Sequence, residues 1–471
     1  MNAPMTTPIA PAALAALQAA AGPGGWTDDP DLIAPRLTDW RGRFTGAAPL
    51  LLRPGSVAAV SAIVRAAAAH GVPLVPQGGN TGLVGGATPP ADGSAVLIAL
   101  DRLAAIRSVD AAGQTLVAEA GVILADVHAA AAELGLAFPL SLGAKGSATV
   151  GGLASTNAGG VQVLRHGTMR ALVAGIEAVL PDGRVLDRLA GLPKDNTGYD
   201  LAQLLVGAEG TLGIITAVRL KLVPAPRHRA VAWAGVADPQ AALALLVALR
   251  SASGGQVESF ELVPAAGLDL VLRHLDGHRA PLAGPHAWHV LIELAGPQPL
   301  DDLLADVLAA HADDAVIAAS GAQAAALWRL REDLPLAERR DGPAIHHDIS
   351  VPVPVLPDFA ISAAARIEAE FPGARVLAFG HLGDGNLHFN VRAPAGPDAA
   401  AWIARVRPAI TPRVHDLVVA AGGSISAEHG IGQLKRAELV RLGDPVRLAA
   451  QRAIKQALDP AGIMNPGKLI G

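Results

Sequence analysis

Two histidines flank a Gly-Asp-Gly turn within the segment Phe379 to Asn390, which reads FGHLGDGNLHFN. Two strands joined by such a turn can bring the imidazoles of His381 and His388 to one side. A second cluster, Ser426-Ala427-Glu428-His429-Gly430, adds a carboxylate and a further imidazole. Two imidazoles and one carboxylate suit Zn²⁺, Mn²⁺, Co²⁺ or non-haem Fe²⁺ and leave positions open for a substrate. The pattern indicates a divalent-metal site with a base beside it.

Three other polar residues belong to the same stretch. Asp384 lies between two glycines, which favours a role in the turn over metal ligation, and Asn386 is expected to order the same loop. Asn390 lies two residues beyond His388, so on a strand both side chains share one face. Asn390 is therefore a candidate donor to a substrate carboxylate.

Composition limits the classes of function. The 471 residues are enough for two or more domains, and the net charge of -5 without a basic tract argues against nucleic-acid binding. The absence of cysteine excludes disulfides, thiolate metal sites and Cys-ligated iron–sulfur clusters. A redox enzyme of this composition must carry its electrons on an organic cofactor. No apolar run is long enough to span a membrane and the N-terminus lacks a basic signal region, so we expect a cytoplasmic protein.

The chain divides into two patterns at Pro224-Ala225-Pro226. From Pro49 to Pro224, short β-branched runs alternate with helical stretches and glycine-rich turns. The expected elements are helices 57–70 and 123–134, strands 72–76, 95–100, 115–120 and 213–223, and a hairpin of 175–180 with 184–187. From Arg227 to Asp459, strands such as 230–236 and 289–294 alternate with long Ala/Leu helices such as 239–250 and 299–310, which indicates an antiparallel sheet covered by helices.

A glycine-rich loop, Pro76 to Gly86, directly follows the strand at 72–76. Closely spaced glycines let backbone N–H groups converge on a phosphate, although the spacing matches neither the G-x-G-x-x-G nor the P-loop pattern. Further loops rich in Gly, Ser and Thr follow at 141–152, 156–160, 165–167 and 206–213. This series predicts a long, extended ligand that is held by backbone groups.

These ordered loops resemble the FAD-binding domain of the vanillyl-alcohol-oxidase superfamily. The remainder resembles the cap domain of its FAD-linked D-2-hydroxy acid dehydrogenases, closest to the branch that oxidises D-2-hydroxyglutarate. The resemblance implies an α+β fold with a two-part FAD-binding domain of the PCMH type and an α+β cap domain with an antiparallel sheet. The expected divisions are an N-terminal helical segment 1–45, an FAD-binding domain 46–224, a cap domain with the metal site 225–459, and a C-terminal segment 460–471 that returns to the flavin.

The same resemblance implies the residues that bind FAD. They are Pro76, Gln77, Gly78, Gly79, Asn80, Thr81, Gly82, Leu83, Ser141, Leu142, Gly143, Ser147, Thr149, Gly152, Asn157, Gly159, His166, Glu209, Gly210, Ile214, Ile215 and Asn465. Glu209, Gly210 and Ile214 are expected at the adenosine end. Some relatives attach the flavin through a histidine in the first loop, where this chain has Asn80, so we expect noncovalent FAD.

The resemblance also implies the reaction. His381, His388 and Glu428 would bind the metal, with zinc expected and manganese or cobalt as alternatives. His429 would be the general base that accepts the hydroxyl proton while the C2 hydride passes to flavin N5. The expected substrate is D-2-hydroxyglutarate, with D-lactate or glycolate as alternatives.

Three residues are expected to bind the substrate: Arg331, His346 and Asn390. Arg331 corresponds to a family arginine that binds a carboxylate. The family has a threonine where this chain has Pro335 and a lysine where it has His346. The pocket for the distal carboxylate is thus the part of the site that departs from the family.

Two other classes of function compete with this prediction. A flavin-binding subunit without catalysis would not need His381, His388, Glu428 and His429, and a non-haem iron oxygenase leaves the glycine-rich loops unexplained. The expected electron acceptor is an electron-transfer flavoprotein or a quinone, and a homodimer is the expected assembly.

Overall fold

The computed structural model describes residues 9–470, which form two compact units. The first unit comprises residues up to Gly159, Gly167–Ala225 and Glu428 onward, and the second comprises Gly160–His166 and Pro226–Ala427. The predicted boundary at Pro224-Ala225-Pro226 coincides with the division between units. The chain re-enters the first unit at Glu428, ahead of the predicted residue 460. Residues 1–8 and 471 of the predicted terminal segments lie outside the described residues.

The first unit combines helices with three sheets, of four, five and two strands. Its helices are Pro11–Ala21, Pro30–Ile33, Val57–His70, Leu124–Ala132, Val150–Thr156, Met169–Leu172, Leu201–Leu205, Arg436–Leu442 and Pro445–Leu458, with a 3₁₀ turn at Ala34–Arg36. Its strands are Trp26–Thr27, Leu51–Leu52, Leu74–Gln77, Val96–Ala99, Ile106–Asp110, Thr115–Glu119, Leu136–Ala137, Val173–Val179, Val185–Asp187, Ile214–Lys221 and Val223–Pro224.

One sheet of the first unit is mostly parallel and another is antiparallel. In the four-stranded sheet, Leu51–Leu52 and Leu74–Gln77 each pair parallel with Val96–Ala99. In the five-stranded sheet, Ile214–Lys221 is central and pairs antiparallel with Thr115–Glu119 and Val173–Val179. This arrangement gives the two-part domain that the sequence predicts.

The helix Val57–His70 has the limits that its periodicity predicts. The Ser56 hydroxyl accepts from the Ala59 N–H and caps its start, and Gly71 ends it in the left-handed conformation, with φ of 63°. Its buried face contacts the N-terminal helix Pro11–Ala21, in which Leu17 is fully buried. The N-terminal segment is therefore part of the first unit.

The last helix also belongs to the first unit. Lys455 donates to the carbonyls of Thr211 and Met464, and Asp459 accepts from the backbone N–H of Ile463 and Met464. These contacts place the helix Pro445–Leu458 in the first unit, ahead of the predicted residue 460.

The second unit has one seven-stranded antiparallel sheet. In sheet order its strands are Asp314–Ile317, His228–Val236, Trp288–Gly296, Val257–Pro264, Arg375–His381, Asn386–Arg392 and Ala344–Ser350. Its helices are Val163–His166, Pro239–Ala252, Ala265–His274, Asp301–His311, Gly321–Glu332, Leu334–Asp341, Leu356–Glu370 and Ala399–Ala420, with a 3₁₀ turn at Leu382–Asp384.

Helices cover both faces of this sheet, and side chains alternate between them. Ala232 and Ala234 belong to the aliphatic core with helices 239–252, 301–311, 356–370 and 399–420. Val231 and Trp233 face the opposite core, with helices 265–274, 321–332 and 334–341. The second face carries the polar residues of the site described below. Among residues 9–470, no helix combines the length and apolar character needed to cross a bilayer.

Candidate active site

An open cleft in the first unit has about 940 Å³ of empty space, including its part open to solvent. The predicted residues that line it are Pro76, Gln77, Gly78, Gly79, Asn80, Thr81, Gly82, Thr149, Gly152, Glu209, Gly210, Ile214, Ile215, Asn465 and the predicted base His429. The structure thus brings five separate stretches of sequence to one cleft.

Eight predicted cofactor residues are not in that lining. They are Leu83, Ser141, Leu142, Gly143, Ser147, Asn157, Gly159 and His166. Asn157 ends the helix Val150–Thr156 in the left-handed conformation, and its Oδ1 accepts from the Arg170 N–H. His166 belongs to the second unit, where its Nε2 lies 3.4 Å from Glu258. Contacts of these residues with FAD remain predictions.

Glycine is required where the first loop packs against the neighbouring one. A Cβ on Gly79 would lie 1.9 Å from the carbonyl oxygen of Ser147, and one on Gly78 would lie 2.2 Å from Thr149 Oγ1. The loops therefore pack backbone against backbone at Gly79 and backbone against a hydroxyl at Gly78, and a side chain at either position would separate them. Gly78, Gly79 and Thr149 all line the cleft.

Two buried polar atoms on the cleft wall have no protein partner among the described residues: Thr149 Oγ1 and Asn465 Oδ1. The amide nitrogen of Asn465 is fixed by the carbonyls of Gly86 and Glu209. Buried polar groups without partners are rare unless a ligand or water satisfies them. A hydroxyl and an amide oxygen placed in this way fit a ligand rich in phosphate and polar ring atoms, as FAD is.

The Glu209 carboxylate supports the loop that follows His429. It accepts hydrogen bonds of 2.7 Å from the backbone N–H groups of Ile431 and Gly432. Burial raises the pKa of Glu209, although these two bonds and the charge of Lys435 oppose the rise. Both carboxylate oxygens thus bind this loop. Glu209 also lines the cleft, and its place at the adenosine end of FAD stays a prediction.

The side-chain amides of Gln77 and Asn80 also bind backbone carbonyls of neighbouring segments. Gln77 donates to the carbonyls of Arg36 and Ala87, and Asn80 donates to the carbonyl of Thr38 at 2.9 Å. These bonds fix the first glycine-rich loop. Asn80 has no nucleophilic ring nitrogen, which is consistent with a noncovalent flavin.

The predicted metal histidines are neighbours in the second unit. His381 and His388 lie on adjacent antiparallel strands, and their ring centroids are 5.5 Å apart at an interplanar angle of 76°. Both face the side of the sheet that the helices 321–332 and 334–341 cover. The turn between them therefore presents both imidazoles together, as the sequence predicts. Glu428 and His429 belong to the first unit.

Glu261 belongs to this site, although it is not among the residues predicted from the sequence. It is fully buried, and its Oε1 lies 2.6 Å from His381 Nδ1. Burial would raise the pKa of Glu261, but the charges of His381 and Arg331 outweigh burial and hold that pKa at about 2. The available signal was a carboxylate within the apolar strand VESFELVP, since a charge in a buried strand needs a partner.

Arg331 is buried beside the same carboxylate. Its Nε donates to Glu261 Oε2 at 2.9 Å, and its guanidinium lies 4.9 Å from the ring centroid of Phe379. Phe379 in turn packs against His388, with ring centroids 5.1 Å apart. The predicted substrate arginine and the two predicted metal-binding histidines thus share one packed cluster.

Asn390 and His346 meet at a second buried carboxylate, Glu338. Asn390 Nδ2 donates to Glu338 Oε2 at 2.7 Å, and His346 Nε2 lies 3.6 Å from that oxygen. Glu338 Oε1 has no partner among the described residues. The structure therefore brings the predicted substrate residues Asn390 and His346 together, and places a negative group between them.

The turn between the histidines has the predicted structure. Asp384 accepts from the Asn386 N–H, and Gly385 is left-handed with φ of 86°. Asn386 donates to Asp348 Oδ1 and to the carbonyl of Ile349. A Cβ on Gly385 would lie 2.2 Å from the Val351 carbonyl, so the turn requires glycine there.

Comparison with known families agrees with this architecture. Residues 225–469 match the family of FAD linked oxidases, C-terminal domain, and residues 48–188 match the FAD binding domain. In fold, the chain is similar to p-cresol methylhydroxylase, with a TM-score of 0.76 and 17% identity over 97% of this chain and 96% of that one. It is also similar to alkyldihydroxyacetonephosphate synthase, with a TM-score of 0.73 and 20% identity over 98% of this chain and 87% of that one. These similarities confirm the predicted PCMH-type α+β fold.

Curated relatives are more similar in sequence. The mitochondrial D-2-hydroxyglutarate dehydrogenase of Arabidopsis thaliana is 37% identical over 94% of this chain and 78% of its own length. The D-2-hydroxyglutarate dehydrogenase of Xanthomonas citri pv. viticola is 38% identical over 92% of this chain and 91% of its own length. A Schizosaccharomyces pombe protein named as a D-lactate dehydrogenase is 36% identical over 94% of this chain and 86% of its own length. The chain therefore belongs to the FAD-linked oxidases, in the branch that contains these dehydrogenases, and is an FAD-dependent oxidoreductase.

Proposed function

We propose that this enzyme oxidises a D-2-hydroxy acid to the 2-oxo acid, with D-2-hydroxyglutarate as its substrate. The observation that carries the proposal is the position of His429 in the wall of the FAD cleft. A base in that cleft can accept a proton from a substrate that binds beside the cofactor. The names of the relatives from Arabidopsis and Xanthomonas support the choice of substrate.

His381, His388 and Glu428 are proposed to hold a divalent metal, zinc in the first instance and manganese or cobalt otherwise. The paired imidazoles of the second unit are a suitable donor set, because Nδ1 of His381 binds Glu261 and Nε2 is the nitrogen proposed to bind the ion. The approach of Glu428 to these histidines is part of the proposal. When bound, FAD accepts two electrons and a metal lowers the pKa of a coordinated hydroxyl.

The residues of this chain then have separate tasks. His429 accepts the proton of the C2 hydroxyl, a role for which imidazole is suited near neutral pH. Arg331 uses Nε for Glu261, so its terminal nitrogens are the donors proposed for the substrate C1 carboxylate. Asn390 supplies a further donor. Thr149 and Asn465 orient the cofactor through the polar atoms on the cleft wall.

The proposal is tested by anaerobic reduction of the bound flavin. The holoenzyme is mixed with the D- or L-isomer of 2-hydroxyglutarate or of lactate, or with the achiral substrate glycolate. Each mixture is made with and without a chelator. Bleaching by the D-isomers alone, abolished by the chelator and restored by Zn²⁺, is expected. Lack of bleaching by any hydroxy acid would contradict the function, and reduction that the chelator does not affect would contradict the metal.

A D-lactate dehydrogenase is the second candidate, because Pro335 and His346 depart from the family and Glu338 places a carboxylate beside His346. A histidine pairs with a distal carboxylate only when it is protonated. Activity with D-2-hydroxyglutarate and with D-lactate, measured at two pH values, decides between the two functions. Equal activity on both substrates would contradict a dicarboxylate preference. An electron-transfer flavoprotein or quinone as acceptor, a homodimer and a cytoplasmic location remain predictions.

A further inference from the structure

We propose that Glu261 is a positioning residue that fixes the ring of His381 for metal binding. The inference rests on the proposed metal site and deepens it. The carboxylate holds Nδ1 of His381, and Nε2 is then the nitrogen presented to the ion. Glu261 does not touch the substrate in this scheme; it acts through the orientation and tautomer of the histidine.

Strand register places the two residues opposite each other. Glu261 and His381 are Cα partners in the antiparallel pair of strands Val257–Pro264 and Arg375–His381. Directly opposite residues of such a pair project from the same face of the sheet. The contact at 2.6 Å is therefore set by the backbone ladder and does not depend on a flexible loop.

Each oxygen of Glu261 has its own partner. Oε1 faces His381 Nδ1, and Oε2 accepts from Arg331 Nε. A carboxylate can only accept in these bonds, so a neutral His381 must carry its proton on Nδ1 and its lone pair on Nε2. Metal-binding histidines commonly donate their other N–H to a carboxylate, and loss of that partner costs about 10–100-fold in metal affinity.

The competing explanation is that Glu261 only neutralises the buried Arg331. Glutamine at position 261 separates the two explanations. Its side chain has nearly the same shape as glutamate, but an NH₂ donor group replaces one of the two acceptor oxygens. If the amide oxygen accepts from Arg331 Nε, the NH₂ group faces His381 Nδ1 and favours the opposite tautomer. The chain also offers a matched control, Glu293, which is a buried carboxylate of the same sheet that binds Arg229 and Trp328 Nε1 without a histidine.

The experiment uses the full-length FAD-loaded protein after chelation. Wild type, Glu261→Gln and Glu293→Gln are titrated with Zn²⁺ and Co²⁺ against a chromophoric chelator, and circular dichroism and flavin absorbance check that each variant is folded and loaded. Histidine ¹⁵N resonances, assigned to His381 with a His381→Gln variant, report which ring nitrogen is protonated in the metal-free protein.

Glu261→Gln is expected to weaken metal binding about 10–100-fold and to move the His381 proton from Nδ1 to Nε2, with Glu293→Gln unchanged. Wild-type metal affinity in Glu261→Gln would overturn the inference, as would equal weakening in both variants. A Glu261→Gln protein that does not fold is replaced by Glu261→Asp, which keeps the charge but shortens the side chain and is expected to weaken binding to a smaller extent. Failure of the wild type to bind either ion would instead refute the metal site itself.

Discussion

The side-chain amide of Asn390 donates a 2.7 Å hydrogen bond to Oε2 of Glu338, a carboxylate that is only 1% exposed. The sequence predicts that Asn390 and His346 bind the substrate. A buried negative charge beside them opposes a second carboxylate on the substrate. Glu338 is therefore the residue whose charge we expect to set the preference between dicarboxylic and monocarboxylic hydroxy acids.

Glu338→Gln is expected to raise kcat/KM for D-2-hydroxyglutarate about 10-fold relative to D-lactate. A 10-fold change corresponds to about 1.4 kcal/mol, which is within the range that one nearby charge supplies at an effective dielectric constant near 20. Steady-state kinetics with both substrates measure the ratio. Glu332→Gln, an exposed position of a neighbouring helix, is the control. A ratio that is the same in Glu338→Gln and the control would contradict the prediction.

Gly82 tests whether the cleft of the first unit is the FAD site. Nothing lies within 4 Å of a Cβ built on Gly82 in the protein alone, so Gly82→Ala is expected to fold normally. The residue lines the cleft, and an added methyl group would occupy cofactor space. We expect FAD affinity to fall at least several-fold, measured by titration of the apoprotein. Gly321→Ala, which also has open space at its Cβ but lies outside the cleft, is expected to bind FAD as wild type does.

His429 is expected to be needed for proton transfer and not for cofactor binding. His429→Asn should lower the rate of anaerobic flavin reduction about 10²–10⁴-fold, the usual contribution of a general base. Flavin content should stay at the wild-type level, because Glu209 holds the following loop through the backbone of Ile431 and Gly432. Stopped-flow absorbance measures the rate, with exposed His70→Asn as the control. A reduction rate equal to wild type would exclude His429 as the base.

The sequence predicts the elements of this molecule better than their long-range contacts. Helix Val57–His70 is specified locally, by apolar periodicity, the Ser56 cap and Gly71. The pairing of His381 with His388 is also local, since a short turn joins their strands. Glu261 is 120 residues away from His381 in sequence, and only the strand order of the sheet makes them partners. Similarly, Glu338 lies in an amphipathic helix, where nothing in the local pattern indicates that it meets Asn390.

Glu258 is expected to make the stability of the second unit depend on pH in the acid range. It is buried, and although burial would raise the pKa of its carboxyl, bonds from His166, Gln162 and Arg165 lower that pKa from 4.5 to about 2. Because the folded-state pKa is the lower one, this stabilisation is complete above about pH 4.5 and is lost as the pH falls towards 2. The shift corresponds to roughly 3 kcal/mol at neutral pH.

Glu258→Gln should therefore lower the free energy of unfolding by up to about 3 kcal/mol at pH 7, and this difference from wild type should shrink as the pH falls from 4.5 to 2. Denaturant unfolding of both proteins at several pH values measures it. Glu370→Gln removes a surface pair with Arg413 and should have a small effect, because exposed ion pairs contribute little. A Glu258→Gln difference that stays constant across this pH range would show that shape, and not the charge held by Gln162, Arg165 and His166, accounts for the stabilisation.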